Sequence, residues 1–334
     1  MNIGTLLIQL SFILGAAATA CSILAYKKGD SGLRNLSGSI GAGCFITTTA
    51  SMLLLTYYLF AVNLRYSYVV QHSSVELAWY YRIAALWAGQ EGSFLLWTWM
   101  VLFVLVLMQY TNVSRDVTDA PVMDISRSVT LAVATFFLLV LVIQQPFHST
   151  DMPALFGYGM NPLLRNPWMA IHPPVLFAGY ALLTIPYAGA VGYLLTDDTK
   201  WTDISRFWGR LAWLFLTLGI GIGGFWAYEV LGWGAWYWSW DPVETSSLVP
   251  WVTATAFLHC QNRLRRGEYK IATPLLAVVS FILVIFATFV TRSGLWASVH
   301  SWQEFALEGR VVAIFLCALI ISSAYLLLKK YVSG

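Results

Sequence analysis

Residues 226–251 read WAYEVLGWGAWYWSWDPVETSSLVPW, a stretch that holds six of the sixteen tryptophans of the chain together with Glu229, Asp241 and Glu244. It is too rich in glycine and acid to continue a membrane helix and too aromatic for an ordinary solvated loop. An indole has an apolar face and one N–H donor, so such rings gather where hydrocarbon gives way to water. The stretch therefore reads as an aromatic platform at a membrane surface, with a spanning helix arriving before it and another leaving after it.

The rest of the chain agrees with that placement. Hydrophobic residues make up 58% of the 334 residues and charged residues 10%, with a mean hydropathy of +0.68. One soluble core cannot hide so much apolar surface, so the chain is an integral membrane protein. The net charge of +3 carries no basic patch or motif that would suit nucleic acid. Crossing the hydrocarbon takes about 17–25 apolar residues, and nine such runs can be drawn, at roughly 3–26, 38–62, 89–110, 128–145, 173–195, 210–228, 242–262, 271–292 and 310–328. The expected fold is an all-α polytopic bundle of nine transmembrane helices in a single domain, residues 1–334. The first run has no basic lead-in and no small-residue cleavage site before Lys27, so it reads as a retained helix.

With the N-terminus outside, fourteen of the nineteen Lys and Arg residues fall on the inner side and only Arg65, Arg82, Arg165, Arg292 and Arg310 on the outer. That bias predicts an outer N-terminus and an inner C-terminus. It also sends the tryptophan stretch, His72, His148, His172 and His300 to the outer face. His259 lies 17 residues beyond Pro242, about 26 Å at 1.5 Å per residue, and so inside the membrane near the cytoplasmic side. Cys21, Cys44, Cys260 and Cys317 stand singly in apolar runs, with no paired or metal-ligand spacing, and read as packing residues.

An uncharged aromatic surface flanked by histidines suits a porphyrin. Neutral imidazole ligates haem iron, indoles line the macrocycle, and arginine pairs with propionates. His172, in Ile171-His172-Pro173-Pro174, precedes one span at its outer mouth, and His300 follows another, so the two could meet opposite faces of one haem. Each could equally be an interfacial histidine bonded to lipid or backbone. An ionisable group within a span marks a pathway or cofactor, yet His259 could also bond a Ser or Thr on a neighbouring helix. Asp241, Pro242 and Glu244 have the spacing of an N-cap, first-turn proline and N3 acid, which competes with any acid–base role. Among Arg82, Arg165, Arg292 and Arg310, simple snorkelling to the interface competes with a propionate clamp.

At this point the motifs carry a resemblance. WGAWYWSWDPVETSSLVPW resembles the tryptophan-rich "WWD" segment of haem-handling membrane proteins. The further stretches YYRIAALWAGQEGSFLLW, NPLLRNPWMAIHPPVLFAGY, WLFLTLGIGIGGFWAYEVLGWG and TFVTRSGLWASVHSW look like the CcmF family of cytochrome c haem lyases. The resemblance implies a site of His172, His300, His259, Trp226, Trp233, Trp236, Trp238, Trp240, Asp241 and Arg292. It assigns His172 and His300 to the iron of a haem held for transfer, and His259 to a membrane-embedded haem b that keeps the transferred haem reduced. The implied reaction forms thioether bonds between haem vinyl groups and the two thiols of a CxxCH motif in apocytochrome c. The implied setting is the outer face of the cytoplasmic membrane, among lipid, with a haem chaperone of the CcmE type delivering the haem. Family members are about twice this length, and the second ligand of haem b lies in their C-terminal half. The expectation is a split member whose companion membrane subunit supplies that ligand. A haem exporter of the CcsA type and a quinol-linked electron-transfer subunit are the alternatives.

Overall fold

Helix formation starts where Asn2 can cap it: its side-chain oxygen accepts the Thr5 N–H at 2.9 Å, while its amide donates to the Phe147 carbonyl at 2.7 Å. The computed structural model describes residues 2–110, 120–150, 154–232, 238–264, 266–298 and 307–333. Its helices are α1 (Ile3–Lys28), α2 (Ser31–Phe60), the short α3 (Ser67–His72) and α4 (Trp79–Ala84), α5 (Gln90–Tyr110), α6 (Pro121–Gln144), α7 (Pro167–Thr196), α8 (Trp201–Leu231), α9 (Pro242–Leu264), α10 (Ala272–Arg292) and α11 (Leu307–Ser333). Among the described residues the only extended pairing is an isolated bridge between Tyr66 and Ser149.

Eight of these helices are long and apolar enough to cross a membrane, where nine were expected. The exception is α9, which has the length of a span but carries Glu244, Thr245, Ser246, Ser247, His259, Gln261 and Asn262. A helix so polar is held by its neighbour. Trp251 Nε1 donates to Thr217 Oγ1 at 2.7 Å, Trp213 Nε1 to Thr255 Oγ1 at 2.8 Å, and Gln261 Nε2 to Ser205 Oγ at 2.8 Å. These bonds run α9 antiparallel to α8 from Trp251 to Gln261, with the Trp213 and Trp251 rings stacked at 6.0 Å.

A second difference concerns α7. The span was expected to begin at Pro173, with His172 just outside it. Instead Asn166 accepts the Trp168 N–H at 2.8 Å and Pro167 takes the first helical position, so the helix begins six residues earlier. Proline needs no N–H partner at such a start. His172 thus stands within the helix, more than a turn from its end.

The central helices are α5, α6 and α7, around Trp97, Phe94, Phe137 and Tyr180. By contrast α1, α2 and α11 leave most of their apolar residues on the surface, as lipid-facing helices do. Close crossing of α7 and α8 rests on glycine: a Cβ on Gly179 would lie 2.9 Å from the Leu216 nitrogen, and one on Gly219 2.8 Å from the Leu176 Cα.

The two ends of the bundle differ. At one end the segment 61–89 is stapled to residues 145–150 and 154–166 by Ser67 N to His148 O (3.0 Å), Thr150 N to Arg65 O (2.9 Å) and Tyr158 N to Val70 O (2.7 Å). At the opposite end Arg34 makes a two-pronged bond to Asp124, both contacts 2.8 Å, and Arg127 approaches the same carboxylate at 3.5 Å.

Candidate functional site

Helix α8 ends at Gly232, whose φ of 64° gives the left-handed turn that glycine accepts without strain. The chain resumes in the described residues at Trp238. Asp241 then caps α9, its Oδ2 accepting the N–H groups of Val243 (2.9 Å) and Glu244 (3.4 Å) and the Ser298 hydroxyl (2.8 Å). Glu244, at the N3 position, accepts the backbone N–H and hydroxyl of Ser239 at its Oε2, at 3.1 and 3.2 Å. The end of the tryptophan stretch is thereby tied to the first turn of α9.

Below the stapled loops lies a cavity of about 490 Å³, within the range of roughly 300–1,000 Å³ usual for small-molecule sites. Leu176, Phe177, Tyr180 and Ile220 give it an apolar floor, and Trp87, Trp226 and Trp238 face it with indoles. Its polar side chains include His72, His172, Glu244 and Arg292. The helices that supply them are α3, α7, α9 and α10.

His172 is set by its contact with α8. Its Nδ1 lies 2.7 Å from the Gly219 carbonyl oxygen. A carbonyl only accepts, so Nδ1 carries the proton and the neutral ring has its lone pair on Nε2, the form that ligates a metal. Gly223 makes room for the ring, since a Cβ there would lie 2.4 Å from His172 Cε1.

Arg292 is 5% exposed. One nitrogen donates to Ser93 Oγ at 2.8 Å, another lies near the Gln90 carbonyl and side-chain oxygens at 3.3 and 3.4 Å, and the guanidinium stands 4.6 Å over the Phe94 ring. Among the described residues no carboxylate pairs with it at contact distance. Glu91 and Glu308 act on it only from beyond contact distance, so an anion brought by a ligand to contact distance would offset much of the cost of burying the cation. Trp238 Nε1 is likewise buried without a hydrogen-bond partner among the described residues. The cavity therefore brings together an indole-walled space, an imidazole protonated on Nδ1, a guanidinium and an indole N–H without a partner among the described residues.

Of the residues expected from the sequence, the structure brings His172, Trp226, Trp238 and Arg292 to this cavity. Trp226 Nε1 also donates to the Leu163 carbonyl at 3.3 Å. Trp240 does not line the cavity: it is 72% exposed and meets Trp238 edge to face at 6.4 Å. Asp241 acts as a cap and is not a lining residue. His259 is exposed on the flank of α9, away from the cavity, and the interhelical bond to Ser or Thr is not made among the described residues. Trp233, Trp236 and His300 lie outside the described residues.

Sequence reasoning missed His72 and the lining role of Glu244. A signal for the first was present in SYVVQH, where Tyr68 and His72 stand one helical turn apart.

Fold and site together define a class: a polytopic all-α membrane protein with an indole-walled cavity at one end, lined by imidazoles and a buried guanidinium. Residues 87–297 match the cytochrome C assembly protein family, and the chain belongs to that family. It is 35% identical over 328 residues to the cytochrome c-type biogenesis protein CcmF of Haemophilus influenzae and 32% identical over 335 residues to that of Escherichia coli K12. Those alignments cover 96% and 98% of this chain but 49% and 50% of the relatives. The chain thus spans about half the length of the curated relatives it matches. A solved structure of the cytochrome c haem lyase CcmF aligns with a TM-score of 0.83 at 28% identity, over 98% of this chain and 51% of the other.

Proposed function

We propose that this chain, acting as one domain over residues 1–334, is the cavity-bearing part of a cytochrome c haem lyase. It holds haem, the substrate, while the vinyl groups are joined to the thiols of a CxxCH motif in apocytochrome c. The observation that carries this reading is the cavity itself, which is lined by a fixed imidazole, a buried guanidinium with no described carboxylate at contact distance and an indole N–H without a partner among the described residues, in a space walled by aromatic rings. His172 would serve the iron through Nε2, Arg292 a propionate, and Trp226 and Trp238 the face or edge of the macrocycle. His300 is assigned the opposite axial position, Trp233, Trp236 and Trp240 the outer wall, and Asp241 the anchoring of that wall through its cap on α9.

The basic-residue bias supports an outward-facing cavity in the cytoplasmic membrane, with the Arg34 and Arg127 end inside. Haem then comes from a chaperone of the CcmE type on the outer side. His259, exposed and without a hydrogen bond among the described residues, would be the residue of this chain that helps hold a resident haem b. That group would supply the electrons that keep the transferred haem reduced, and its second ligand would come from a companion membrane subunit packed with lipid around α8 and α9.

The test compares wild type with His172→Ala and His259→Ala in membranes carrying the complete maturation system. Haemochrome absorbance per chain and the yield of covalent cytochrome c are measured. His172→Ala should lose the transferred haem and lower the yield at least tenfold, and His259→Ala should lose the membrane haem. Full haem content with an undiminished yield in His172→Ala overturns the reading.

A further inference from the structure

Two imidazoles face the cavity, and haem binding as proposed uses only His172 of the pair. His72 closes α3, with Nδ1 2.9 Å from the Tyr68 carbonyl oxygen and its ring stacked on the Tyr68 phenol at 4.3 Å between centroids. The phenol is pinned in turn: its hydroxyl lies 3.1 and 2.9 Å from the Ala85 and Leu86 carbonyls and accepts the Gly89 N–H at 3.1 Å. The contact with a carbonyl puts the ring proton on Nδ1 and leaves Nε2 as the basic nitrogen. Gly89 closes on that edge, for a Cβ there would lie 2.6 Å from Nε2. Such crowding admits a small group beside the nitrogen but hinders a macrocycle centred on it, so the ring suits proton transfer better than iron ligation.

Resting on the haem lyase reading, we propose that His72 is the proton acceptor for the cysteine thiols of apocytochrome c during thioether formation. The S–H bond breaks and its proton passes to His72 Nε2. The thiolate sulfur bonds to the inner vinyl carbon, the π pair is protonated at the terminal carbon, and the imidazolium returns to its neutral form by giving up that proton. The sum is addition of S–H across C=C, with no net oxidation or reduction. Attachment therefore needs a proton carrier and no further reagent, and a general base of this kind contributes roughly 10²–10⁴-fold.

The surroundings keep the base neutral. Burial pushes the His72 pKa below the ordinary imidazole value, countered only in part by the bond to the Tyr68 carbonyl. The other titratable or charged groups around the cavity are His172 from α7, Glu244 from α9 and Arg292 from α10, with Tyr68 beneath the ring, Glu91 at the start of α5 and Glu308 at the start of α11 acting on Arg292 and Glu91. Of these Arg292 favours the thiolate, while the Glu244 carboxylate is engaged by Ser239.

The experiment follows attachment rate against pH in membranes carrying the complete maturation system, for wild type, His72→Gln and Gly89→Ala. The second variant keeps the imidazole but displaces it. Both should retain the haem complement of wild type and slow attachment about 10²-fold or more at pH 7. The rate in His72→Gln should then climb about tenfold per pH unit toward the ordinary thiol pKa of about 8.5, whereas wild type stays nearly flat. Wild-type rates in His72→Gln, or slowing with an unchanged pH profile, overturn the proposal, and so does loss of haem in both variants. A wild type that neither holds haem nor attaches it defeats the haem lyase reading itself.

Discussion

Gly223 and Gly221 are two residues apart on α8 and face different surroundings. A methyl group at Gly223 meets the His172 ring, whereas at Gly221 nothing lies within 4 Å. Alanine gains about 1 kcal/mol over glycine in a helix interior, so both substitutions favour the helix itself. Gly223→Ala must rotate the imidazole away and break its bond to the Gly219 carbonyl. Its haem content should fall about tenfold, equivalent to about 1.4 kcal/mol of binding, with thermal stability in detergent little changed. Gly221→Ala should keep full haem content and melt slightly higher. Haemochrome absorbance and melting curves on the two purified variants decide the matter, and equal haem in both would mean that the His172 position does not govern capture.

At the level of elements, α9 tests how a helix too polar for hydrocarbon is held. Its two indole–threonine bonds to α8 each satisfy an N–H that would otherwise face an apolar contact. Bonds of this kind between membrane helices average about 0.6 kcal/mol and reach about 1.7 kcal/mol. Thr217→Val with Thr255→Val should therefore cost about 1–3 kcal/mol in reversible unfolding in detergent, with α8 and α9 separating first. No loss in the double variant would place the hold on α9 elsewhere. This helix also shows what the sequence could carry. Its start was readable because Asp241 and Pro242 are a local signal, acting within one turn. The start of α7 was missed because three prolines compete to mark it, and Asn166 with Pro167 rather than His172 with Pro173 supplies the cap. Arg292 entered the expected site only through the family resemblance, because at a helix end a snorkelling cation and a propionate clamp read alike in sequence. His72 was not readable, since its meaning depends on α3 folding over the start of α5 to place one imidazole opposite α7 and α10. No periodicity records that meeting.

For the molecule as a whole the decisive quantity is which end faces which compartment. The helices alternate in direction, so fixing one loop fixes all. The stapled loops and the cavity share one end, and the Arg34, Asp124 and Arg127 cluster occupies the other. The basic-residue bias of the sequence, fourteen of nineteen Lys and Arg in the loops expected inside, predicts an outward cavity, because that bias acts during insertion and does not depend on the folded contacts. Two exposed positions report the outcome: Val75, 75% exposed in the stapled loops, and Ile271, 41% exposed where α10 begins at the far end. In a cysteine-free background Val75→Cys should react with a membrane-impermeant maleimide on intact cells, and Ile271→Cys only after the membrane is opened. Labelling in the reverse order would put the cavity inside. Attachment to an exported apocytochrome would then be impossible at this site, whatever haem the cavity held.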